Sequence, residues 1–198
     1  MFDIVSLAFL LITINASGQG ENTANKEIQI PESFELGTSD GVISDYSLNT
    51  LKEARSLGVK YLEVSTRWFT NMDFEDQKTL AKEMRENAEL AGIQLWSIHL
   101  PYGNNYDVSA INDSARLQAI DNQKRFIDIA SELGVKRMVI HPSVDRIPDI
   151  VRNLHIKALR TSLEELIDYS GKRNLSLNIE NLPRACLGNS IKPQIRRS

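Results

Sequence analysis

Leu133-Gly134-Val135-Lys136-Arg137-Met138-Val139-Ile140-His141-Pro142-Ser143 decides the fold of this chain. It joins a helix end to a short strand. A glycine takes a left-handed helix cap at low steric cost, and the apolar run behind it closes on a histidine. The pattern recurs. Leu57-Gly58-Val59-Lys60 runs into Tyr61-Leu62-Glu63-Val64, and Ala91-Gly92-Ile93-Gln94 into Leu95-Trp96-Ser97-Ile98-His99. Arg173-Asn174, with Asn in the place of Gly, runs into Leu175-Ser176-Leu177-Asn178-Ile179-Glu180. Successive copies lie about 34, 42 and 40 residues apart, the length of a strand–helix unit.

Between the copies the periodicity is helical. Leu48, Leu51 and Ala54 begin one apolar stripe, with Ser47 as its cap; Leu80, Met84 and Ala88 make a thinner one. Leu117, Ile120, Ile127 and Ala130 form a third, widened by Phe126, Ile129 and Leu133, and Ile156, Leu159, Leu163, Leu166 and Ile167 a fourth. Strands are expected near 34–38, 60–65, 94–99, 136–141 and 175–180, apolar enough to be buried on both faces. Strict alternation of strand and helix implies an α/β fold with a parallel sheet and right-handed crossovers. Periodicity leaves a closed barrel and an open doubly wound sheet both standing. No G-x-G-x-x-G or G-x-x-x-x-G-K-[ST] follows a strand, which weakens the nucleotide-binding open-sheet options.

The 198 residues suit one domain, and 25% charged with 41% apolar residues is the balance of a soluble globular protein. The formal charge of -3 comes from interspersed acids and bases, and no run of Lys or Arg, the terminal Arg196-Arg197 included, forms a basic stripe, so no nucleic-acid partner is expected. Cys186 is the single cysteine, which excludes an intramolecular disulfide and a cysteine-rich zinc site; it reads as a small buried residue. The N-terminus differs from the rest. Ile4 to Ile14 is almost wholly apolar, too short for the roughly 20 residues of a membrane span, and is followed by the small residues Ala16 and Gly18. Residues 1–18 are therefore expected to be a signal peptide and 19–33 a flexible leader, with export to a bacterial periplasm and no membrane association after cleavage. The absence of Lys or Arg ahead of the run, and Asp3, go against that pattern; a buried strand or short core helix is the other reading.

Three strands end on residues able to bind metal or move protons: His99, followed by Leu100-Pro101-Tyr102; His141, followed by Pro142-Ser143; and Glu180, followed by Asn181. In a parallel barrel the C-terminal strand ends gather at one face, and neighbouring strands are about 4.8 Å apart. Three successive strand ends can therefore converge on one ion, and imidazole nitrogen with carboxylate oxygen suits a borderline divalent cation. One such histidine would ordinarily be a hydrogen-bonded structural residue; it is the repeated position that singles out these three. Glu63, inside the second strand, points either toward substrate or toward a basic partner in the core. Trp68, Trp96 and Tyr102 are candidates for stacking on the ring of a substrate, or for plain core packing.

Ser97-Ile98-His99-Leu100-Pro101-Tyr102, Val139-Ile140-His141-Pro142-Ser143 and Asn178-Ile179-Glu180-Asn181-Leu182-Pro183-Arg184 resemble the xylose isomerase-like barrel superfamily of sugar isomerases, sugar epimerases and apurinic endonucleases. The segment Asn112 to Ile127 looks like the helix after that family's third strand, and the likeness spans about Phe34 to Ser190. The resemblance implies a (β/α)₈ TIM barrel, of which about five βα units are present in 34–190, with 191–198 an irregular tail. It implies a divalent metal (Mn, Zn, Mg or Co) held by Glu180 and, as ligands or as substrate contacts, His99 and His141. It implies proton or hydride transfer next to the carbonyl of a sugar or sugar phosphate. An apurinic-endonuclease-like metal phosphodiesterase and an inactive truncated barrel are the alternatives. Five strands do not close a barrel of eight, so open edges are expected on the first and fifth strands, and exposure of Leu159, Leu163 and Leu166 at one flank. The sugar, the metal and the oligomeric state are not specified by the sequence.

Overall fold

The computed structural model describes residues 35–182 and 185–187. The expected signal peptide, leader and tail lie outside the described residues, as do the two ends of the expected 34–190 domain. Five strands alternate with four helices: β1 (Leu36–Ser39), α1 (Leu48–Ser56), β2 (Val59–Ser65), α2 (Phe74–Ala91), β3 (Gln94–His99), α3 (Asp113–Glu132), β4 (Arg137–Ile140), α4 (Arg152–Gly171) and β5 (Ser176–Ile179). The sheet is parallel throughout and its order, β1-β2-β3-β4-β5, follows the chain. Sequential order on one sheet is the winding of a barrel rather than of a doubly wound sheet, whose strand order reverses. The chain has a partial TIM-barrel fold.

Local chemistry sets the helix boundaries. The Ser47, Asp73 and Asn112 side chains each accept a hydrogen bond from a backbone N–H in the first turn of α1, α2 and α3 (Thr50, Asp76 and Ala115), replacing one of the donors that a helix start leaves unpaired. The ends turn on left-handed residues. Gly134 has φ +72°, and a Cβ there would lie 2.9 Å from Arg85 Cδ, so a side chain would be strained by the backbone and would have to displace the Arg85 side chain. Asn174, at φ +56°, does the same work after α4, as its sequence position suggests.

Alternation along the strands divides the sheet into two unlike faces. Leu62 and Val64 of β2, Ile98 of β3, and Met138 and Ile140 of β4 are fully buried in one core with Leu51, Met84, Ile120, Ile127 and Leu166 from the helices. The other face carries Glu63 and Ser65, Ser97 and His99, Val139, and Asn178, aligned by the strand register. The expectation of strands apolar on both faces is thus corrected. The inner face is largely polar, and β5 is mostly exposed. The flank expectation is corrected too. α4 packs on α3 and β5, which buries Leu159 and Leu166 and leaves Leu163 partly covered; Ile167 and Leu117 are the stripe members that stay exposed.

Truncating one residue of the shared core tests this packing. Leu62→Ala should lower the unfolding free energy by about 2–5 kcal/mol, the usual cost of a large-to-small change in a closed core. Urea unfolding followed by circular dichroism measures it. A loss under about 1 kcal/mol would mean that β2 does not pack beneath the helices as described.

Candidate functional site

The backbone ladder runs past the strands and carries the site with it. Leu100 N–H donates to Val139 O at 2.8 Å, and Glu180 N–H donates to Ile140 O at 2.9 Å. His99 is the last residue of β3, whereas His141 and Glu180 are the first residues beyond β4 and β5. Each stands two places beyond an inner-face residue, His141 beyond Val139 and Glu180 beyond Asn178, so alternation returns both to that face. The sequence places the ends of β4 and β5 one residue late, because apolar pattern alone does not separate a strand's last ladder bond from its last strand residue.

The three side chains meet. Glu180 Oε2 lies 3.1 Å from His99 Nε2 and 2.8 Å from His141 Nε2. One donor atom from each lies within 4.8 Å of the others, the only such His/Cys/Asp/Glu group with metal-binding spacing among the described residues. All are partly buried, with 20–28% of each side chain exposed. The His99 and His141 rings meet edge to face at 5.1 Å. Tyr102 stacks flat on His141 at 4.3 Å and 11°, and meets the edge of His99 at 5.9 Å. Leu100 O lies 3.0 Å from His99 Nδ1. A carbonyl can only accept, so this contact calls for the proton on Nδ1 and leaves Nε2 of a neutral His99 with a lone pair directed at a carboxylate oxygen. Either a second proton or a cation among the three groups relieves that opposition. This donor set, with one imidazole oriented from behind by a carbonyl, fits a divalent metal.

The histidines open onto a cavity of about 1000 Å³. Glu63 and Tyr102 also line it. Glu63 has no basic partner among the described residues: its Oε2 accepts from Ser97 Oγ at 2.7 Å. Tyr102 is 65% exposed. Trp68 and Trp96 do not line the cavity. Trp68 Nε1 donates to Asp40 Oδ2 at 2.7 Å, and its ring meets Tyr46 edge to face. Trp96 sits where the β2–β3 register slips by one residue, edge-on to Tyr61 and beneath the Arg137 guanidinium at 3.8 Å. Cys186 is buried, and its thiol donates to Asp145 Oδ1 at 3.0 Å. Burial, then that bond, push the thiol up to about 11, so it is not a ready nucleophile.

Sequence reasoning misses Asp40. It follows β1 directly, is 1% exposed and lines the cavity. Its Oδ2 accepts from Ser65 N–H (2.7 Å), Ser65 Oγ and Tyr46 OH (both 3.2 Å) as well as from Trp68. Burial and then this carboxylate hold the Tyr46 hydroxyl pKa well above its ordinary value. The signal was present, since Asp40 closes the first strand as His99 closes the third. Arg67 and Arg125, also on the cavity wall, carry no such signal, because they lie outside the strands.

A family model described as xylose isomerase-like TIM barrel matches residues 51–196. No curated protein matches the chain. Solved structures do. A D-psicose 3-epimerase from Clostridium cellulolyticum H10, determined with D-tagatose, is 15% identical with a TM-score of 0.63 over 75% of this chain and 52% of its own. A 3-keto-D-glucoside 4-epimerase from E. coli is 15% identical with a TM-score of 0.60, over 78% and 58%. A sugar phosphate isomerase/epimerase from Parabacteroides distasonis is 18% identical with a TM-score of 0.53, over 76% and 52%. The chain spans a little over half the length of these proteins. At such identities the likeness is one of fold.

The site has a pH signature. Burial lowers the His141 pKa below the ordinary 6.5 and outweighs the attraction of Glu180, while His99 adds to the lowering. As pH falls below about 6.5 the unfolded chain therefore takes up this proton before the folded one, so the imidazole costs stability on acidification and nothing above neutrality. In metal-free buffer, the NMR titration midpoint of His141 should lie below 6.5, and His141→Gln should flatten the fall of melting temperature between pH 6.5 and 5. A midpoint above 6.5 would show that Glu180 prevails over burial.

Proposed function

The chain belongs to the xylose isomerase-like TIM barrel family, and on that premise we propose that it forms the metal-holding part of a sugar or sugar phosphate isomerase or epimerase. The observation that carries the reading is the convergence of Glu180 with His99 and His141, two residues that line a ligand-sized cavity. These three residues would hold a divalent ion. When bound, such an ion polarises the oxygens of a sugar and stabilises charge that develops as a proton or hydride moves next to a carbonyl.

The chain's own groups take the remaining roles. Leu100 O fixes the His99 ring, and Tyr102 packs against the face of His141, so both Nε2 atoms are presented together. Glu63, without a cationic partner among the described residues and fixed by Ser97, accepts a hydrogen bond from a sugar hydroxyl. The exposed phenol ring of Tyr102 offers an apolar face to the sugar. Trp68 supports the wall from behind, through Asp40. The second reading, a metal phosphodiesterase of apurinic-endonuclease type, is favoured by the presence of two histidines in the cluster. The interspersed charge and the net -3 count against it. Export through residues 1–18 belongs to the same proposal, supported by the apolar run Ile4 to Ile14.

Calorimetric titration of the chelator-treated chain with Mn²⁺ or Zn²⁺ should show one site per chain. Loss of an outer-shell partner costs a metal site about 10–100-fold, so loss of a ligand in Glu180→Gln should weaken binding at least tenfold. Addition of a chelator should abolish any interconversion of ketohexoses followed by chromatography. Unchanged affinity in Glu180→Gln would defeat the proposed site. For export, expression in a bacterial host should yield a periplasmic product whose intact mass corresponds to cleavage near Gly18; a cytoplasmic chain that keeps Met1 would refute it.

A further inference from the structure

We propose that the helix-side rim of the cavity is an anion subsite centred on Arg125, and that it selects a monosaccharide bearing a phosphate ester or a carboxylate. The inference rests on the sugar-isomerase reading of the His99–His141–Glu180 end and names its substrate class. At about 1000 Å³ the cavity is at the top of the ~300–1,000 Å³ range of small-molecule sites. Its lining joins Glu63 and His99 of the strands and His141 just beyond β4 to the helix-borne Gln77, Asn122 and Arg125. One end thus holds the proposed chemistry, and the other end has room for a substituent of the sugar.

Charge distinguishes the two ends. Two carboxylates line the cavity. Asp40 is buried and spent on the donors of Ser65, Trp68 and Tyr46, and Glu63 belongs to the strand end through its Ser97 bond. Of the two lining arginines, Arg67 is already engaged: it donates to Asp40 O at 2.8 Å, lies 3.8 Å from the Asp40 carboxylate and covers the Trp68 ring at 4.5 Å. Arg125 has no carboxylate partner among the described residues. Its guanidinium rests over the Phe74 ring at 5.1 Å. An aromatic platform restrains the plane of a guanidinium while leaving its edge donors free, the arrangement suited to a two-pronged grip on phosphate or carboxylate oxygens. Lys78 approaches the same ring at 4.9 Å; its charge is shared with Glu75 at 2.7 Å, so it strengthens the local potential only modestly. Asp73, Glu75 and Asp76, the acids that open α2, do not line the cavity.

Calorimetry on the full chain, in chelator and at low salt, tests the subsite without requiring turnover. The probes are D-fructose 6-phosphate, D-glucuronate and D-fructose. At least one anionic sugar should bind about tenfold or more tightly than D-fructose, as a charge-assisted contact warrants, and the tighter of the two identifies the anion. Arg125→Gln should erase that preference and leave D-fructose affinity unchanged. Arg125→Lys should restore part of it, and Arg160→Gln, on the exposed side of α4, should retain all of it. Equal affinity for all three sugars, or a preference that survives Arg125→Gln, overturns the subsite. Intact anion preference combined with no metal binding would instead reject the isomerase reading alone.

Discussion

Parallel pairing of β4 with β5 is the constraint on which the site depends. Val139 aligns with Asn178 and Ile140 with Ile179, and the bond from Glu180 N–H to Ile140 O extends that register by one residue. Side chains alternate with period two, so a slip of β4 by one residue would send His141 to the helix-covered face, away from Glu180, and bring Met138 and Ile140 inward. The buried outer face forbids that slip. Met138 and Ile140 are completely enclosed, and exposing two such side chains would cost about 1.5–3 kcal/mol each. The position of the His99–His141–Glu180 group is thereby set by apolar packing on the opposite side of the sheet.

The polar inner face follows from the same division of labour. Apolar residues on the outer face supply cohesion, which frees the inner face to carry hydroxyls, an amide, a carboxylate and an imidazole. These groups are kept paired. Ser97 satisfies Glu63, and the Asn178 amide donates to Met138 O at 3.1 Å. The Asp40 carboxylate replaces its lost hydration with four contacts from Ser65, Trp68 and Tyr46, the condition under which a buried carboxylate is tolerated. The exception is the His99–His141–Glu180 group, where two imidazoles compete for one oxygen. That departure from full satisfaction is what marks it as a place for a ligand.

The fold was legible because a barrel repeats one signal. Left-handed caps at Gly58, Gly92, Gly134 and Asn174, each followed by a short apolar run, are local features that need no tertiary knowledge. The three site residues were legible for the same reason, as they occupy one place in the repeat. What escaped depends on contacts distant in sequence. Trp68 and Trp96 look alike as candidate sugar platforms, yet their places are set by Asp40, 28 residues from Trp68, and by Arg137 on the next strand. The polarity of the inner face was hidden because a short strand such as Met138-Val139-Ile140 reads as uniformly apolar. The partner that covers each face becomes visible only when the helices are in place.

The two ends of the cavity rest on different parts of the structure. His99, His141 and Glu180 hang from the strand ladder, whose register is locked by the core. Arg125 and Asn122 project from α3, which the Asn112 cap and the buried Phe126, Ile127 and Ala130 hold against its neighbours. A helix surface tolerates substitution more freely than a strand end, because an exposed helical side chain carries little of the packing energy. The rim can therefore vary without disturbing the residues that would hold the metal. Among the described residues the Arg125 guanidinium on this rim has no carboxylate partner, so under the proposed reading a neutral sugar would leave that charge without a counterpart.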